Sequence, residues 1–301
     1  MKLNELLYYF WRNKIFIFIS LAVFAVSIVI YSIYLPNTYK SYALVAPVKK
    51  SETPQISSSL SGLGSVLGMG NISSVLGGSV VNDKDIAIST LKSRSFFEDI
   101  LDDELMINLF ATKSYDRSLK KSIIDPKIYD SESNTWTREE SGPYFSKVPT
   151  REEAFIEFHK NYKIVENKRN FLVEITYESK NPEISKRILI KTIDMLNTYL
   201  KEKDRKEALD SIAFLKKQVE SERIVEIQNS LNMLITQNIQ KAMFAEIRKD
   251  YAYEYITYPV VPELKSGPSR AIICVIGFFG FSLLIFTIFT IRFYFEESDS
   301  R

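Results

Sequence analysis

Two stretches of 21 residues, Ile15 to Leu35 and Ala271 to Ile291, contain no charged side chain. As helices rising 1.5 Å per residue, each would extend about 30 Å, the hydrocarbon thickness of a bilayer. A cleaved leader would have a shorter apolar core and a small-residue cleavage site. The first stretch instead ends in Tyr31-Ser32-Ile33-Tyr34-Leu35-Pro36, with aromatics where an interface would lie. Both runs are therefore read as uncleaved membrane helices, spanning 15–35 and 271–291. Lys2, Arg12 and Lys14 outnumber Glu5 in residues 1–14, which places the N-terminus in the cytoplasm. Lys265 and Arg270 before the second run and Arg292 after it leave its orientation to the first, so 36–270 lies outside and 292–301 returns inside.

The exterior segment reads as one α+β domain. Tyr39 to Pro47 alternates as a strand, Asp83 or Asp85 opens a helix carrying Ile88, Leu91, Phe96 and Ile100, and Leu101 to Phe110 continues as a second. Residues 112–150 are polar and form an insertion or surface region. Thr150-Arg151-Glu152-Glu153 is a capping box, after which Tyr162–Val165 and Phe171–Tyr177 form a hairpin with Phe171, Val173, Ile175 and Tyr177 on one face. Tyr253 to Tyr258 supplies a last strand beside the first. Pro259, Pro262 and Pro268 then force an extended approach to the second membrane helix, because each fixes φ and removes a backbone donor.

Between hairpin and last strand lies a helical run near 182–250 that has no Gly or Pro after Pro182. Asn181 caps it, and apolar residues recur at helical spacing, with a slip near Glu220 to Arg223. Taken as one helix from Arg205 to Lys249 it would be roughly 65 Å long and would need neighbours. An extended helix packed between subunits is the favoured reading; the alternative is a helix pair folded back within one domain.

Composition excludes several functions. The net charge of +2 in 301 residues, with Lys and Arg scattered among Asp and Glu, indicates no nucleic-acid partner. Cys274 is alone, so no intramolecular disulfide forms, and His159 reads as a solvated side chain on a charged helix. Asp102-Asp103 and Glu139-Glu140 read as solvated faces. No nucleophile elbow, dinucleotide fingerprint, phosphate loop or His-x-x-x-His pair is present, so the chain is expected to be no enzyme and to need no cofactor or metal. Two features invite packing. Gly277, Gly280 and Ser282 offer a small-residue strip for helix association. The uncharged Gly/Ser-rich segment 56–81, with Leu60, Leu63, Val66, Leu67 and Met69, is either a mobile loop or a greasy contact for lipid or an oligomer lumen.

In this order, these elements resemble the chain length determinants of bacterial polysaccharide assembly, the Wzz-type co-polymerases. The residues that carry the resemblance are the Tyr39–Pro47 strand, Leu91-Lys92-Ser93-Arg94-Ser95-Phe96, Asn181-Pro182, Phe214-Leu215, the run through Leu234-Ile235, Gln240, Met243 and Ala245, and the three prolines. The resemblance implies a two-pass protein of a Gram-negative inner membrane with a periplasmic domain, assembled as a homo-oligomeric ring among membrane lipids. It also implies a non-catalytic partner of a Wzy-type polymerase that sets the length of an undecaprenyl-linked, O-antigen-like glycan. The tail after Arg292 is too short for the kinase domain of the autokinase class. An inner-membrane adaptor for capsular polysaccharide export shares the two-anchor plan; a two-pass sensor would need a cytoplasmic effector.

Overall fold

The structure, a computed structural model, describes residues 11–48, 83–140 and 146–299. The chain opens with helix α1 (Lys14–Tyr34) and passes directly into strand β1 (Tyr39–Pro47). Three short helices follow, α2 (Asp83–Lys92), α3 (Arg94–Ile100) and α4 (Asp103–Phe110). The expected helix from 83 to 100 is broken at Ser93, whose side chain accepts from the Phe96 amide and starts α3 afresh. Asp102 does the same for α4 through the Leu105 amide at 2.7 Å.

The polar stretch after α4 holds two small hairpins that periodicity did not reveal, β2 (Thr112–Asp116) with β3 (Lys121–Ile124), and β4 (Tyr129–Asp130) with β5 (Thr135–Trp136). Their turns use left-handed Lys120 and Asn134, at φ 50° and 52°. Helix α5 (Arg151–Asn161) starts at the complete Thr150/Glu153 capping box. Strands β6 (Tyr162–Glu166) and β7 (Val173–Ser179) then pair with Tyr162 opposite Tyr177 and Ile164 opposite Ile175. Val173, Ile175 and Tyr177 are buried as expected, but Phe171 is not on their face. It lies in the turn at φ 58°, exposed, with the Lys84 ammonium 5.0 Å from its ring.

The helical run is two helices, α6 (Pro182–Ser221) and α7 (Val225–Ile247), so the expected single helix near 182–250 is corrected to a folded-back pair. Glu222 and Ile224 are extended, and the Glu222 carboxylate accepts from the Arg223 and Ile224 amides at 2.9 and 3.1 Å. Reversal thus needs no φ > 0 and leaves no Gly or Pro signal; the slip in rhythm was its trace. Lys201 Nζ on the Glu246 carbonyl, with Lys241 on Asp204 and Glu207, shows the antiparallel register.

Strand β8 (Tyr253–Thr257) and helix α8 (Arg270–Asp299) complete the chain. The main sheet is antiparallel in the order β6-β7-β1-β8. The first and last strands are therefore neighbours, which brings the two apolar helices to one edge of the domain. The buried face of the sheet (Ala43, Val45, Val173, Ile175) is covered by the first half of α6 through Ile188, Leu189, Ile193 and Leu196. At roughly 1.5–3 kcal/mol per fully buried aliphatic side chain, this layer is the main hydrophobic contribution to the domain. His159 is not solvated as expected. Its ring packs among Phe97, Phe155, Phe158 and Tyr162, and Nδ1 lies 3.0 Å from the Phe155 carbonyl.

Candidate membrane-anchoring and assembly surfaces

Helices α1 and α8 are long and apolar enough to cross a membrane, the latter over Arg270–Arg292, and within the domain they are almost wholly uncovered. They pair antiparallel. Phe24 stacks on Phe281 with centroids 3.9 Å apart, Phe16 meets Phe289 at 6.2 Å, and Ile17 and Leu21 pack around Ile285.

The small-residue strip divides at this contact. A Cβ on Gly277 would lie 1.8 Å from Ile28 Cδ1, so the two helices approach here more closely than a side chain allows. Nothing lies within 4 Å of a Cβ built on Gly280, which faces outward, and Ser282 is half-buried. The two glycines are only about 60° apart around the helix, but Gly277 alone meets α1.

The polypeptide leaving α1 is tied to the polypeptide entering α8. Thr38 donates its amide to the Gly267 carbonyl at 3.0 Å, and its own carbonyl accepts from the Ser266 amide at 2.9 Å. Thr38 Oγ1 and Ser266 Oγ both donate to Glu178 Oε1, and Arg270 donates to Asn37 Oδ1 at 3.2 Å. A Cβ on Gly267 would stand 2.6 Å from Thr38 Oγ1, so only glycine admits this approach. Pro259 is buried and Pro262 and Pro268 are half-buried along the path, and Ser41 Oγ holds the Val260 carbonyl at 2.8 Å. Lacking an N–H, Pro259 cannot extend the ladder, which stops at Thr257. The region that sequence reasoning marked by its prolines is thus held by Thr38, Glu178, Ser266 and Gly267, polar or small residues without a sequence pattern to reveal them.

At the other end of the domain the α6/α7 pair projects beyond the sheet. Past Leu200, the buried residues of α6 reduce to Ala208, and α7 buries only Ala245 among the described residues. Phe214 is 62% exposed, with Leu209, Ile224 and Val225 also exposed. An open groove of about 390 Å³ runs beside Phe214, Leu215, Leu234 and Asn238.

The base of the pair is held by polar contacts. Asn197 Oδ1 accepts from the Ala252 and Tyr253 amides at 2.8 and 2.9 Å, while its Nδ2 donates to the Tyr253 carbonyl. Lys191 bridges the Ile100 carbonyl and Asp102. Burial pulls the Asp102 carboxyl upward, but hydrogen bonds from Lys191 and the Leu105 amide, with the charges of Lys191 and Arg187, outweigh it and hold the group below the usual carboxylate range. Glu153 is likewise lowered: burial opposes it, and Arg138 and the Thr150 amide prevail. Burial pushes the Lys180 ammonium down; its Nζ donates to the Thr112 carbonyl. Among the described residues, no group of three or more His, Cys, Asp or Glu could hold a metal. Leu60, Leu63, Val66, Leu67 and Met69 lie outside the described residues.

Residues 1–104 match the family model of the Wzz chain length determinant protein. The match covers α1, β1, α2 and α3, and the resemblance read from the sequence thus holds over the first third of the chain. No curated protein matches. Among solved structures, a full-length bacterial polysaccharide co-polymerase aligns over 100% of both chains, with 15% identity and a TM-score of 0.42. A fragment of WzzB, a polysaccharide co-polymerase from Salmonella Typhimurium, aligns over 77% of this chain and 100% of its own, with 13% identity and a TM-score of 0.32.

Proposed function

We propose that this protein is a polysaccharide co-polymerase that regulates the chain length of a lipid-linked surface polysaccharide, without catalysing a reaction itself. The observation that carries the reading is the chain length determinant match over residues 1–104, which includes the first apolar helix and the strand that follows it. Paired apolar helices at one edge of an α+β domain support a two-pass protein of the inner membrane with residues 36–270 in the periplasm. The bare apolar surface of the α6/α7 pair supports a homo-oligomer, because exposed patches of this kind in a projecting helix pair are covered by partners. In this reading, neighbouring pairs pack side by side in a ring. The ring holds a Wzy-type polymerase, or the undecaprenyl-linked O-antigen-like glycan it extends, and ring geometry sets how long the growing glycan stays. Pro259, Pro262 and Pro268 fix the angle between the domain and the second anchor.

The test is a gel of surface glycan from a strain lacking the gene. Polymer should still be made, with its preferred length lost. An unchanged ladder contradicts the proposal, and complete loss of exported polymer would favour the capsular export adaptor instead.

A further inference from the structure

The turn between β2 and β3 reads Arg117-Ser118-Leu119-Lys120, followed by Lys121 at the start of β3. It lies at the membrane end of the domain. Arg117 donates to the Glu263 carbonyl and sits over the Tyr39 ring at 5.5 Å, which holds the turn against the segment leading into α8. Between them opens a cleft of about 630 Å³, lined by Asn37, Tyr39, Tyr115, Asp116, Arg117 and Lys265. Asn37 is three residues beyond the end of α1, and a chain that short reaches at most about 10 Å. If α1 spans a bilayer, the cleft therefore opens at the depth of the headgroups.

Its chemistry suits that position. Lys265 has no partner among the described residues, and Asn37 spends Oδ1 on Arg270, leaving its Nδ2 as a donor. The opposing carboxylate is occupied, because Asp116 Oδ1 accepts from the Ser118 and Leu119 amides at 2.8 and 3.2 Å. Arg117, Lys120, Lys121 and Lys265 against Asp116 and Glu263 leave a local excess of two positive charges. Two large aliphatic side chains flank these cations and face solvent: Leu119 is 70% exposed and Leu264 83%. Isolated in water such residues gain nothing, whereas cations beside exposed aliphatics are what binds an anionic membrane surface.

We propose that the cleft and the β2–β3 turn form a third membrane contact, in which Arg117 and Lys265 take the phosphate of an anionic phospholipid headgroup while Leu119 and Leu264 enter the acyl boundary. The contact rests on the two-anchor reading, since it needs α1 and α8 in a bilayer. It fixes the height and tilt of the domain independently of the prolines.

The test uses the full chain in nanodiscs of phosphatidylcholine with increasing phosphatidylglycerol. A polarity-sensitive fluorophore is attached at Leu119→Cys in a Cys274→Ser background, with Phe214→Cys as the distal control. Emission from position 119 should shift to shorter wavelength as phosphatidylglycerol is added, while position 214 stays unchanged. Lys265→Gln, which breaks no contact among the described residues, should raise the phosphatidylglycerol needed about fivefold, and so should Arg117→Gln, the equivalent of about 1 kcal/mol per cation. Emission indifferent to the anionic lipid, or a Lys265→Gln response equal to the parent's, overturns the proposal. Reversal of the shift by inorganic phosphate alone would mark a free-anion pocket and overturn the lipid assignment. A chain that does not enter the nanodisc contradicts the two-anchor reading first, and the contact with it.

Discussion

The two halves of α6 follow the same helical rhythm and meet opposite surroundings. From Pro182 to Leu200 its apolar stripe is closed over by β1, β7 and the short helices, and Leu189, Ile193 and Leu196 have no exposure at all. From Lys201 to Ser221 the helix has α7 for company, and Phe214 stands largely in solvent. A two-helix layer cannot cover both of its own faces. The difference teaches that the near half folds the domain, while the far half carries apolar surface that the domain leaves uncovered, which is where the proposed assembly would be made.

Substitutions that separate the halves give the largest effect. Leu189→Ala should lower the unfolding free energy by about 2–5 kcal/mol, because it opens a cavity in a packed layer. Phe214→Ser should change monomer stability by less than about 0.5 kcal/mol and yet weaken assembly. Chemical denaturation and sizing of the same two variants measure both. If Leu189→Ala is silent, or Phe214→Ser unfolds the domain, the distinction fails.

Asn197 sits where the halves meet. Asn197→Leu leaves two amides and a carbonyl of residues 252–253 without their partners, and should cost about 2–4 kcal/mol. Amide exchange should speed first in β8, whose ladder with β1 starts from that turn.

The two apolar helices allow a sharper contrast still. Gly277→Leu should drive α8 off Ile28 and cost about 1–3 kcal/mol of helix pairing, whereas Gly280→Leu, with open space around it, should leave the pair intact. Cysteine cross-linking between α1 and α8 would register the difference. Equal cross-linking in both would show that Gly277 does not set their approach.

Acid should produce the smallest effect, and in the near half. Asp102 and Glu153 have carboxyl groups lowered in the folded state, so their contribution is complete above the unfolded carboxylate range near 4 and fades as pH falls through the lower folded values. Hydrogen exchange below about pH 4 should therefore loosen the starts of α4 and α5 before the middle of the far α6/α7 pair.

How far this arrangement could be read from the sequence depended on the signal each element leaves. Uncharged runs gave the two apolar helices to within a residue at three of four ends; α8 continues to Asp299, because a helix does not stop where its apolarity does. Alternation located β1, β6 and β8, and the caps at Asn181 and Thr150 stand as read. The reversal at Glu222 left only the slip near Glu220 to Arg223, because it is made by a carboxylate on two amides and not by a special backbone conformation. Phe171 kept the strand's alternation while leaving its face, and His159 looked solvated by its charged neighbours in sequence while its neighbours in space are aromatic rings. The junction at Thr38, Glu178 and Gly267 joins residues far apart in the chain, Thr38 and Glu178 by 140 positions, and no local pattern could announce it.

The most direct test of the account is the mass and shape of the full chain extracted with its lipid and imaged as single particles. It predicts a closed ring of identical subunits, with the far halves of α6 side by side and Phe214 covered at each junction. A uniform population of single chains, with Phe214 in solvent, would contradict it.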